Sequence, residues 1–305
     1  MSAALLFEPG FFYSEDVRIA ILVGAVVAVV SGTVGTFTVM RGQSFAGEAL
    51  GDIGITGGSG AFLVGVGPLW GFVAAGVVAA AVMELIGIQR PRGRDLATGI
   101  VLGAALGLAA LLLYLSTTDH DTTGAARTIL FGSVFAVSAG TLPLIAALSG
   151  VVLALVALLY RPLLLSCVSA EMAAARGIAV RAVGAAYLLA LALAVALAAI
   201  SIGAILSTAL LVGPAATALR LTNRPGRAIA VAGLVGVAAM WLGILLAYDS
   251  FYWPPKETGW PVSFFVVALI FCAYLLSGLP ALLRRRKGPR ARSQAVPSPA
   301  ASGIE

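Results

Sequence analysis

From Ala228 to Tyr248 the chain reads AIAVAGLVGVAAMWLGILLAY, without one charged residue. A helix of about 20 apolar residues crosses the hydrocarbon core of a bilayer. Similar runs recur along the chain and leave little room for anything else. Hydrophobic residues make up 60% of the sequence and charged residues 10%, with a mean hydropathy of +1.05. A soluble domain carries about 25% charge, so this chain cannot cover a water-facing surface, and a soluble enzyme is excluded. In lipid the backbone must satisfy its own hydrogen bonds, which leaves helices or a closed barrel. A barrel needs residue-by-residue alternation of apolar and polar positions, and the unbroken apolar runs lack it. The fold class is an all-α, polytopic helical bundle. Its 36 glycines let helix backbones approach closely.

The runs predict nine membrane segments, near 17–40, 44–66, 69–89, 96–116, 135–159, 181–201, 203–220, 227–248 and 261–283. The second and seventh are less uniform and are expected to be short or broken. With the C-terminus placed in the cytoplasm, the inner loops hold Arg41, Arg90, Arg92, Arg94, Arg161, Arg176, Arg181, Arg220, Arg224, Arg227, Arg284, Arg285, Arg286, Lys287, Arg290 and Arg292. The outer side holds only Arg18, Arg127 and Lys256. This bias is the positive-inside pattern. It requires an odd number of segments and an N-terminus outside. It also explains the pI near 9.7 without any nucleic-acid partner. The predicted organisation is an extracytoplasmic segment 1–16, a permease domain 17–283 and a basic, disordered cytoplasmic tail 284–305, whose start suits anionic lipid headgroups. Residues 1–16 contain Glu8, Glu15 and Asp16 and no basic stretch, so the first apolar run reads as a retained span rather than a cleaved signal. The outer loops collect Glu8, Glu15, Asp16, Asp119, Asp121, Asp249 and Glu257. They form either an acidic mouth for a cation or ordinary solvated loops.

No Gly-x-x-x-x-Gly-Lys-Ser/Thr motif is present: Lys256 precedes Glu257, and Lys287 precedes Gly288. ATP drive must come from another subunit. His120 is the only histidine, and Cys167 and Cys272 read as small apolar residues. The loop Asp119-His120-Asp121 has metal-ligand chemistry, but it reads more simply as a solvated turn. Glu84 lies inside an apolar run near Arg90–Arg94 and reads as paired there or reaching the interface.

Glu48 and Asp52 differ. They stand four residues apart in Gly47-Glu48-Ala49-Leu50-Gly51-Asp52, which places both on one helix face. Carboxylates inside a membrane are costly and mark function. Two together must share a proton or be neutralised by a cation. A path for a substrate cation, a proton relay, and packing against a further partner all fit. Gly47, Gly51, Gly54, Gly57, Gly58 and Gly60 would permit either an interrupted helix, as transporter sites often use, or close backbone approach. On the cytoplasmic side, Ser169 to Ile178 predicts a short helix closed by Gly177. Such a helix can dock into a partner's groove.

These residues resemble the membrane permeases of ABC importers for zinc, manganese or iron, over roughly residues 11–283. Val34 to Arg41, followed by Ser44 to Leu50, is similar to that family's first span and its Gly-Asp-x-Leu-Ser-His motif. Asp95 to Ile100 resembles Asp-x-x-x-Gly-Ile. Ile129 to Ser133, with Val137-Ser138, resembles Leu-Phe-Gly-x-x-x-x-Val-Ser. Ser201 to Leu206, then Ala209 to Leu211 and Pro214 to Ala218, is the closest match.

The resemblance implies a homodimer with no covalently bound cofactor and with a divalent ion (manganese, zinc or iron) as transported substrate. It also implies a cytoplasmic ABC ATPase and an extracytoplasmic substrate-binding protein. It assigns the coupling helix to Ser169, Glu171, Met172, Ala175, Arg176 and Gly177, and the ion path to Glu48 and Asp52. Glu and Asp here replace the family's Asp and His, which removes an imidazole and suits manganese better than zinc. A non-metal cargo, or a proton-coupled transporter without an ATPase, is the alternative. Pro214, inside the seventh segment, is a candidate hinge.

Overall fold

The computed structural model describes residues 14–86, 94–119, 129–132, 134–252 and 259–286. The segment 1–13, Arg90 and Arg92, His120 and Asp121, and the tail from Lys287 lie outside the described residues. Among the described residues there is no strand. The helices are α1 (Glu15–Met40), α2 (Ser44–Leu63), α3 (Pro68–Ile86), α4 (Arg94–Asp119), α5 (Leu142–Val168), the short α6 (Ala170–Ala175), α7 (Val180–Ile202), α8 (Ala204–Leu221), α9 (Pro225–Asp249) and α10 (Val262–Arg286). By length and apolar character, α1, α3, α5, α7, α8, α9 and α10 can each cross a membrane. The 20 residues of α2 are more polar, and the apolar stretch of α4 is only Leu102–Leu115.

Helix α7 is the centre of the bundle. Its sequence LLALALAVALAAI is apolar on every side, the pattern of a helix surrounded by others. It is 78% buried, against 22% for α5 and α10. Around it stand α1, α2, α3, α5 and α8. Helix α1 also packs on α9, and α10 closes the bundle against α8 and α9. The outward faces of α5 and α10 expose Val151, Leu158, Phe264, Phe271 and Leu275, a surface made for hydrocarbon rather than water.

Two segment ends depart from the sequence expectation. Residues 135–141 are not helical membrane span: Val134–Ala136 and Ala139–Thr141 form 3₁₀ turns. Helix α5 begins at Leu142 with Pro143 in its first turn, where the missing N–H costs nothing. At its other end α5 continues past Arg161 and Pro162 to Val168. A proline in a membrane helix need not end it, so Arg161 is a helix residue rather than a loop residue. At the C-terminal end, α10 runs on through Arg284–Arg286, so the basic tail begins as helix.

Helix α2 decides between the two expectations for its glycines. It is continuous from Ser44 to Leu63, not interrupted. Its glycines serve close approach instead. A Cβ on Gly57 would collide with the carbonyl of Gly71 on α3, and a Cβ on Gly71 would collide with that of Gly57. Gly54 and Gly58 lie flat against the Phe72 ring, and Gly47 and Gly51 sit on Leu211 and Ser207 of α8. Small residues thus bring α2 against α3 on one side and α8 on another. The Thr56 hydroxyl donates to the Ala105 carbonyl at 2.8 Å, fastening α4 to the same helix.

Alanine at Gly57 should destabilise the protein by about 1–3 kcal/mol, the usual cost of overpacking, and lower its melting temperature in detergent. Alanine at Gly103 of α4, where nothing lies within 4 Å, should leave the melting temperature unchanged. Equal effects at both positions would show that α2 and α3 do not meet backbone to backbone.

Candidate functional site

With Gly47, Gly51, Gly54, Gly57 and Gly58 turned to neighbouring helices, the remaining face of α2 carries Glu48 and Asp52. Both expected carboxylates lie on that face, one turn apart. Glu48 is exposed, Asp52 is half-buried, and the Glu48 charge acts on Asp52. Glu48 opens into a groove of about 540 Å³ between α2, α8 and α10. Its walls are Phe45, Val212, Gly213, Ile270 and Phe271, with the hydroxyls of Ser44, Thr208 and Tyr274 at intervals. Glu48 is the only charged residue among those walls. Among the described residues no three His, Cys, Asp or Glu side chains gather into one cluster, so within one copy the metal-type donors at this site are two carboxylates.

Behind the groove, Pro214 is buried inside α8 and so cannot complete a helical bond to the Leu210 carbonyl. One residue beyond Leu210, the Leu211 carbonyl faces Gly35 of α1, where any Cβ would collide with it. The proline therefore sits where α1, α2 and α8 converge. At the far end of α8, Gly203 joins it to α7 with φ of +90° and presses against Gly132, with φ of +67°. A side chain at either position would meet backbone, so glycine is required at both.

The short helix forms where the sequence predicts it, over Ala170–Ala175. The Ser169 hydroxyl accepts the Met172 N–H at 3.2 Å, an N-cap. Gly177 closes the other end with φ of +80°, while Gly177 N–H reaches the Ala174 carbonyl and Ile178 N–H the Ala173 carbonyl. This pair of bonds is a Schellman ending. Ala173 is buried, whereas Glu171, Met172, Ala175 and Arg176 point outward, leaving a free face of mixed chemistry. Next to it, Glu84 accepts from Arg181 Nε at 3.2 Å. That gives Glu84 a partner on α7; the side chains of Arg90, Arg92 and Arg94, expected to lie near it, are outside the described residues. With the Arg181 side chain 81% exposed, such a pair contributes about 0–1 kcal/mol.

Sequence reasoning missed the polar contacts between distant segments. Arg41 touches Ser166 and Tyr187, and Arg220 stacks on Tyr274 with its Cζ 3.7 Å from the ring centre. Periodicity carries no signal for such pairs. Their one trace is that Arg41 and Arg220 stand at helix ends, where a charge needs a partner.

A glycine-packed bundle with seven helices able to cross a membrane, an acidic pair on one helix and a short capped helix between two others fit a membrane transport subunit. The family model of the ABC 3 transport family matches residues 14–277. The chain belongs to that family. It is 30% identical over 283 residues to the manganese transport system membrane protein MntC of Listeria monocytogenes, covering 93% of this chain and 98% of that one. It is 28% identical over 230 residues to the manganese import system permease protein ScaB of Streptococcus parasanguinis, covering 75% of this chain and 81% of that one. The solved structure of PsaBC from Streptococcus pneumoniae in complex with Fab superposes with a TM-score of 0.75 at 26% identity, over 88% of this chain and 93% of that one.

If α8 bends at Pro214, restoring its backbone bond stiffens the helix. Pro214→Ala should then slow transport turnover while leaving the melting temperature equal or higher. Turnover equal to the unaltered protein would remove Pro214 as a hinge.

Proposed function

We propose that this chain is the permease subunit of an ATP-driven importer of divalent metal ions, with manganese as its cargo. The observation that carries it is the Glu48–Asp52 pair on one face of α2, with Glu48 opening into an apolar groove, in a multi-pass membrane protein of this family. Carboxylate oxygens without imidazole or thiolate favour hard ions such as Mn²⁺ over Zn²⁺. The relatives named for manganese support the same choice.

A carboxylate left against lipid costs several kcal/mol, and an apolar groove holding one is unstable as an outer surface. A second copy of the chain covers that face in a homodimer and adds its own Glu48 and Asp52, raising the donor count to what a divalent ion needs. In this arrangement α2 and α4 also cross the membrane. That gives nine spans with the N-terminus outside and the C-terminus in the cytoplasm, in keeping with the arginine bias. A binding protein releases the ion at the outer face. The ion passes between the paired α2 helices. An ATPase seated on α6 drives the bundle between outward-open and inward-open states.

Vesicles holding this chain, its ATPase and its binding protein should take up Mn²⁺ when ATP is supplied. Glu48→Gln and Asp52→Asn should each lower uptake by roughly tenfold or more, the scale of one lost charged interaction. Uptake undiminished in both variants would move the path away from α2. In a separate pull-down, the ATPase should copurify with the unaltered chain. It should be lost when Gly177→Val, barred by the positive φ, is combined with Ser169→Ala. Copurification retained in that double variant would place the ATPase contact outside α6.

A further inference from the structure

At the cytoplasmic end of α1 the chain turns within 41–43 into α2. Arg41 occupies this turn, half-buried, and its guanidinium reaches three elements at once. Nη1 donates to the Ser166 hydroxyl at 2.9 Å. Nε donates to Gln43 Oε1 at 3.2 Å. Cζ lies 5.2 Å from the centre of the Tyr187 ring. Ser166 is on α5, three residues ahead of Ser169, the N-cap of α6. Tyr187 is on α7, the helix that follows α6. Gln43 is buried and is the residue from which α2 starts. The short helix therefore hangs between two elements that the same side chain holds, and the third arm of that side chain is the foot of the helix carrying Glu48.

The Tyr187 contact is rigid. Its hydroxyl and that of Thr38 share the Val34 carbonyl, each at 3.0 Å, and stand 2.7 Å apart. The ring meets the edge of Phe37, which in turn meets Tyr160 of α5. Displacement of either flank of α6 is thus carried to Arg41 rather than absorbed by loose side chains. The alternative route, Arg181 to Glu84, is largely solvent-exposed on the arginine side and leads to α3, away from the start of α2.

We propose that Arg41 is the positioning residue that couples movement of α6 to α2, so that ATPase closure on the short helix resets the Glu48–Asp52 face. It touches neither cargo nor ATPase. The proposal rests on the importer function put forward above. The planar guanidinium suits this place because its rigid fork donates in two fixed directions while the same group lies over a ring. An ammonium is a compact point charge on a flexible stem and does not hold the three contacts in one geometry. Arg41→Lys keeps the charge and so preserves topology, but loses the fork.

The test follows the foot of α2 directly. Phe45, exposed in the groove, is replaced by cysteine in a chain carrying Cys167→Ala and Cys272→Ala. Its rate of maleimide labelling is measured in the complex with the ATPase, without nucleotide and with ATP trapped by vanadate. The rate should change with nucleotide in the parent and be unresponsive in Arg41→Lys, with Ser166→Ala intermediate. The Arg41→Lys/Ser166→Ala double variant should match Arg41→Lys, because the two act through one contact. In parallel, Mn²⁺ taken up per ATP hydrolysed should fall about tenfold in Arg41→Lys, the worth of one charged hydrogen bond, with hydrolysis itself held within about twofold.

A nucleotide response retained in Arg41→Lys overturns the proposal, as does a proportional fall of uptake and hydrolysis together. Absence of Mn²⁺ uptake by the unaltered complex counts against the cargo alone, since the labelling comparison needs no cargo and still decides the role of Arg41. An unaltered complex whose label ignores nucleotide overturns the proposal outright.

Discussion

A bilayer has no water to drive apolar helices together, so association depends on how closely backbones can come. In this protein the closest approaches involve glycine: Gly57 against Gly71, Gly35 against Leu211, Gly132 against Gly203. These contacts set where α2 and α8 lie relative to α1 and α3. Whatever α2 carries on its remaining face is placed by them. A larger side chain at any of these positions would separate the helices and move the acidic pair with them.

That placement gives the carboxylates their meaning. Two acids in an apolar sequence are costly anywhere in a membrane, and a fold that buried them against hydrocarbon would be unstable. Here Glu48 opens into a groove between α2, α8 and α10 rather than into the core. The charge is held at the wall of a groove, where a cation could neutralise it. The proline in α8 lies behind the same groove, so a change in the bend of α8 alters one of its walls.

The other pole of the molecule is built from polar contacts instead of small residues. Ser169 and Gly177 give α6 defined ends, and Arg41 joins the flanks of α6 to the start of α2. A short capped helix attached to rigid neighbours moves as a unit. This is the mechanical property required of a docking element, and it places the two poles in a continuous chain of packed groups.

Much of this could be read from the residues. Hydropathy marked the helices, because crossing lipid is a local requirement on about 20 neighbouring residues. The four-residue spacing of Glu48 and Asp52 put them on one face, and Ser169 and Gly177 marked the ends of α6, because capping is also local. Motif order pointed to the family that the comparisons establish. What could not be read was which faces meet. The glycines of α2 allowed either an interruption or close contact, and only the fold decided for contact, since a glycine's role depends on the atoms opposite it. The fifth segment was expected to end near residue 159, and α5 continues through Pro162 to Val168. Glu84 has a partner in Arg181, 97 residues away on α7, which sequence proximity could not offer. The partners of Arg41 lie 125 residues along the chain at Ser166 and further still at Tyr187. The sequence by itself determined that the chain is a multi-pass helical membrane protein with an acidic pair on its second segment, because those are properties of neighbouring residues. Only the tertiary structure decided that Glu48 opens into a groove and that one arginine joins the start of its helix to both flanks of α6, because those depend on contacts between residues far apart in the chain.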